Sequence, residues 1–261
     1  MTNLLKRRGT EMIAQMAWLY LEGAPEENLP KLLKFIESVD MAESSKELRE
    51  KVQEVLNTMR SPWYEYLLSF WQDIDTSVFK RFFNTCILNA YLTRKRKEVE
   101  QDCTIPWLII LHNECDEAIR KGKLAGTYVY CFTQMPDNKR TDSKKIENKK
   151  TDKDTLIALC VAHPDCAFFA PFSDGVIDEA FACQLLSVQN LYPVIAPGDE
   201  QTLKLLREKK LIFGLQDAPE TGTLVETGAK FIWSCSEDTR PCHPLDGERE
   251  DSPVQEPFLL A

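Results

Sequence analysis

A chain of 261 residues is long enough for one large domain, or for one of about 150 residues with a smaller companion. Its 43% hydrophobic and 28% charged content is that of a soluble globular protein. The net charge of −9 excludes a general nucleic-acid or acidic-membrane binder, whose affinity comes from Lys and Arg neutralising phosphates. Nine cysteines, an odd number without framework spacing, argue against a disulfide-stapled secreted fold and for reduced thiols in the cytoplasm.

The chain opens with Lys6, Arg7 and Arg8 ahead of an apolar stretch, a faint imitation of a signal peptide. Glu11 and Gln15 interrupt that stretch and no small-residue cleavage site follows, so an amphipathic first helix is the better reading. No run approaches the roughly 18 to 20 apolar residues of a membrane span. Helical spacing continues through Leu29, Leu32, Leu33 and Ile36 in residues Pro25 to Val39. Ser44 and Glu47 form a capping-box pattern ahead of Leu48, Val52 and Val55. Ser61-Pro62 reads as an N-cap with a first-turn proline. Asp75 caps a next helix through Phe79, Phe82, Phe83, Ile87 and Tyr91 toward Glu98. Nine of the 25 aromatics fall between Trp63 and Tyr91, a stripe that reads as a packing face rather than a pocket lining.

From residue 103 the pattern changes. Short apolar runs recur at Trp107–Leu111, Thr127–Thr133, Cys166–Phe172, Tyr192–Ala196, Leu211–Gln216 and Lys230–Cys235. Helix-like segments alternate with them at Glu114–Lys123, Thr151–Ala162, Asp178–Val188 and Glu200–Lys209. Strands apolar on both faces, alternating with helices, indicate an α/β fold with a six-stranded parallel sheet, open or closed into part of a barrel. Between Asp137 and Asp154, seven basic and five acidic residues make a mixed-sign run without aromatics, read as a solvated loop rather than a nucleic-acid patch. From Ser236 on, seven acids against Arg240 and Arg249 carry −5 of the −9. That acidic, Pro-rich tail is expected to be disordered, and its end, "PFLLA", has the form of a short docking motif.

Several stretches together resemble a known family. "NLPKLLKFIE", "WYEYLLSFWQDIDTSVFKRFFNTCILNAYL" and "CTIPWLIIL" are similar to the helical lead-in and first strand of radical SAM proteins of anaerobic Firmicutes. The similarity resumes at "GKLAGTYVYCFT", "LCVAHPDCAFFAPFSDGVIDEAFACQLLSVQNLYPVIA", "REKKLIFGLQ" and "GAKFIW", in order. The resemblance implies a partial (β/α)6 barrel over residues 103–236, a helical N-terminal subdomain over 1–102 and the tail over 237–261. It also implies a 4Fe-4S cluster that cleaves S-adenosylmethionine, held by CxxxCxxC on the loop after the first strand so that one iron stays open for the cofactor. Here Leu111 is followed by His112, Asn113, Glu114 and Cys115, and the helix begins. The cluster loop is missing. In place of the family's GGEP-type motif stand Thr133, Gln134, Met135 and Pro136, with side chains where close backbone approach requires glycine. "PGDEQTLKLL" after Ala196 is shorter than the family's fourth loop.

Other constellations remain to be weighed. Cys115, Cys131 and Cys235 fall near the carboxyl ends of expected strands and are the set from which a relocated metal or iron–sulfur site would be built. Against that, Cys131 and Cys235 read as small apolar strand residues. Cys103 precedes the first strand, on the order of 20 Å from that end. Cys160, His163 and Cys166 lie close in sequence, as do Cys235, Cys242 and His243, but neither group has paired CxxC zinc spacing. His163, ahead of Pro164, fits the end of a helix, and Asp174-Gly175 fits either a cofactor-shaping turn or a plain one. The expected function is a non-catalytic, degenerate radical SAM protein: a cytoplasmic pseudoenzyme with no catalytic, cofactor-binding or metal residues, no nucleic acid and no membrane. It would act through a ligand or a partner such as an intact relative. Three readings compete with it: an active cluster enzyme using Cys115, Cys131 and Cys235, a helical binding module, and a truncated product without a dedicated role.

Overall fold

The computed structural model describes residues 27–28, 30–31, 62–111, 115–133, 153–172, 176–217, 222–233 and 258–259. The amphipathic first helix and the Ser44–Glu47 capping box therefore lie outside the described residues, as do most of the mixed-charge run and of the tail. Two compact units divide the chain, residues 1–80 and 81–261.

In the first unit, helix α1 (Pro62–Asp73) turns buried Tyr64, Tyr66, Leu68 and Phe70 inward. Tyr66 meets Phe70 edge-on at 5.5 Å between ring centroids, and Phe79 lies 5.5 Å from Phe70 and 4.9 Å from Trp71. These aromatics are packing residues, as their spacing predicts. Asp75 caps helix α2 (Thr76–Phe82) as expected: its Oδ1 accepts from the Ser77 amide at 2.8 Å, and its carbonyl accepts from the Phe79 amide.

The second unit is mixed α/β, built on six parallel strands that curl into a half barrel. The strands are β1 (Leu108–Leu111), β2 (Val129–Phe132), β3 (Ala167–Phe172), β4 (Leu191–Ile195), β5 (Gly214–Gln216) and β6 (Phe231–Trp233). They lie side by side in chain order. Helices α4 (Cys115–Ala125), α5 (Lys153–Ala162), α6 (Glu179–Val188), α7 (Glu200–Glu208) and α8 (Gly222–Thr227) fall in the connections, and α3 (Arg94–Gln101) precedes β1. Chain-order pairing with crossovers of one hand places all the connecting helices on one face, and α5 packs on α6 and α6 on α7. Sequence had shown every parallel strand; it missed α8, whose six residues are too short for periodicity.

The two faces of the sheet are filled differently. Toward the helices point Tyr130, Phe132, Phe168 and Phe172. Tyr130 stacks on Phe168 at 5.8 Å, and its hydroxyl shares a proton between the carbonyls of Ile119 in α4 (2.9 Å) and Thr127 (2.8 Å). Phe172 packs on Phe181 of α6, whose first turn is capped by Asp178. Successive strand residues alternate in direction, so Phe169 points the other way. There it meets Tyr192 at 5.2 Å and Phe231 at 5.1 Å.

That inner face is covered by a π-helix, Phe83–Thr93, which packs on β2. The sequence reads as one α-helix from Asp75 toward Glu98; the observed helix changes its hydrogen-bond register at Phe83 and returns to α at Arg94. Thr85 supplies a physical reason. Its fully buried hydroxyl donates back to the Arg81 carbonyl at 2.9 Å, competing with the regular ladder, and lies 3.3 Å from the Tyr192 hydroxyl. Phe82 packs edge-on against the Tyr192 ring at 5.1 Å.

Two residues of the tail also pair. Strand β7, Phe258–Leu259, runs antiparallel to β6, with Leu259 opposite Ile232 and Phe258 opposite Trp233. The rest of the tail expected to be disordered, residues 237–257 and 260–261, lies outside the described residues.

Gly214 of β5 leaves its inner-face position empty because the Phe231 ring occupies it; a Cβ there would collide with that ring. Gly214→Ala is expected to lower stability by about 1–3 kcal/mol, read as a shift in the denaturant midpoint. An unchanged midpoint would mean that Phe231 does not pack on β5.

Candidate functional site at the carboxyl rim

In a parallel α/β sheet, chemistry belongs at the carboxyl ends of the strands, on the loops that follow them. After β1 only residues 112–114 separate Leu111 from Cys115, the first residue of α4. After β4 the connection is a tight turn through Pro197 and Gly198. There Gly198 adopts φ 107°, its carbonyl accepts from the Glu200 amide at 2.9 Å, and Asp199 caps α7 by accepting from the Thr202 amide at 3.1 Å. After β5, Asp217 donates its amide to the Trp233 carbonyl at 2.8 Å and ties β5 to β6 at the rim. Residues 134–152, 173–175, 218–221 and 234–257, which follow β2, β3, β5 and β6, lie outside the described residues, and with them Gln134, Met135, Pro136, Asp174 and Gly175.

Of the candidate set Cys115, Cys131 and Cys235, only Cys131 has its side chain among the described residues. Cys131 sits inside β2 between Ile110 of β1 and Phe169 of β3, fully buried. Burial, with the neighbouring Cys86 thiol, pushes its thiol well above the ordinary range. A buried thiol held neutral is a poor nucleophile. Cys115 opens α4, Cys103 is exposed ahead of β1, and Cys235, Cys242 and His243 lie outside the described residues. Among the described residues no group of three His, Cys, Asp or Glu side chains is placed to hold a metal ion. The three-thiolate set that a 4Fe-4S cluster needs is therefore not assembled from them.

A denser polar cluster lies at the opposite, amino end of the strands. Helix α5 stops at Ala162, and the His163 amide donates to the Leu159 carbonyl at 2.9 Å, closing the last turn ahead of Pro164. The His163 ring nitrogen Nε2 lies 3.0 Å from Asp116 Oδ1, and Arg120 Nε lies 2.9 Å from the other oxygen of that carboxylate. Asn190, fully buried before β4, shares its Nδ2 protons among the carbonyls of Cys160, His163 and Cys166 at 3.1–3.2 Å. Lys123 pairs with Asp165 at 2.6 Å, while Asn89 and Arg81 donate to the carbonyls of Asp165 and Pro164. Sequence reasoning found the helix end at His163 through the proline. It missed Asn190, because a single Asn after a helix reads as loop.

This cluster stabilises the turn rather than activating a nucleophile. His163 turns its ring to Asp116, whereas Cys166 turns its thiol to Asp165 at 3.8 Å, so the two do not form a nucleophile–base pair. Burial first, and then the Asp165 carboxylate, push the Cys166 thiol up to about 12, against the pull of Lys123. Burial also raises the thiols of Cys86 and Cys160.

No protein-family model, curated protein or solved structure matches this chain. No described helix is long and apolar enough to cross a membrane.

The thiol environments predict an order of reactivity and a pH dependence. Cys103 and Cys183, both exposed, are expected to alkylate in the native protein, whereas Cys86, Cys131 and Cys160 react only on unfolding, as peptide mapping by mass spectrometry reads out. Thiols raised above their ordinary value of 9.0 keep protons that the unfolded chain gives up, so their contribution to stability is complete below pH about 9 and is lost above it. A denaturant midpoint that rose between pH of about 8 and about 10 would contradict this.

Proposed function

We propose that this chain is a degenerate radical SAM-type protein that performs no radical chemistry and acts by binding a ligand or a protein partner, such as an intact relative. The reading includes a helical lead-in over residues 1–102 ahead of a partial (β/α)6 barrel, and a place in the cytoplasm. The observation that carries it is the connection from β1 to α4, where only residues 112–114 stand between the strand and the helix. A cluster that presents an open iron to the cofactor needs three thiolates on one loop, and these three residues are His, Asn and Glu. The burial of Cys131 within β2 lends further support, since it removes one of the three relocated thiols the competing enzyme would use. A scaffold that keeps its strands while its rim is cut back retains surfaces for binding, and fold alone does not carry the chemistry.

The test is anaerobic reconstitution of the full chain with ferrous iron and sulfide. The expected result is a colourless protein that forms no 5′-deoxyadenosine from S-adenosylmethionine and dithionite. A brown protein that forms this product would overturn the proposal.

A further inference from the structure

We draw no further inference here: the strongest candidate, the surface cluster of Glu179, Cys183 and Lys209 where α6 meets the end of α7, carries nothing, because its ammonium is already closed on Glu179 at 2.7 Å and nothing among the described residues points to a ligand for the single exposed thiol.

Discussion

The second unit depends on how the inner face of its sheet is closed. Parallel strands laid down in chain order send their crossover helices to one side, so the other side must be covered by something else or stay wet. The π-helix supplies that cover, and the meeting of Thr85 with Tyr192 holds it there. Both residues are buried, and both hydroxyls also reach backbone carbonyls, Arg81 for Thr85 and Gln189 for Tyr192. Each hydroxyl has a single proton, so the 3.3 Å contact becomes a hydrogen bond when one of the two turns its proton from its carbonyl to the other's oxygen. From Tyr192 an aromatic path runs through Phe169 to Phe231, which fills the space Gly214 leaves.

The two ends of the sheet carry different burdens. Ahead of β3 and β4, Asn190, His163, Lys123 and Asp165 bind helix ends and turns to one another, and the His163 ring reaches Asp116 in the first turn of α4. At the carboxyl end, where a parallel sheet builds its sites, the connections after β1 and β4 are short and the one after β2, from Phe132 to Lys153, is long.

The strands were legible because burial on both faces writes itself as an apolar run. The observed β5 is shorter than its run, since Leu211, Ile212 and Phe213 are buried by packing ahead of the paired residues. The caps at Asp75, Asp178 and Asp199 follow from side chains that accept from the first turn of a helix. The π-register was not legible: Phe79, Phe82 and Phe83 satisfy an α-helical stripe, and the deviation comes from Thr85 meeting a tyrosine about a hundred residues away. The same holds for β7, whose pairing belongs to the edge of β6, and for Asn190, whose three carbonyl partners meet only in the folded chain. As for the candidate site, sequence located the shortened connection after β1, and the structure bounds it at residues 112–114.

The measurement that bears most directly on this account is a double-mutant cycle on Thr85→Val and Tyr192→Phe, followed by chemical denaturation. If the two hydroxyls support each other across the inner face, the cycle yields a coupling energy of about 0.5–1.5 kcal/mol. Strict additivity of the two substitutions would show that the π-helix is held on the sheet by something else.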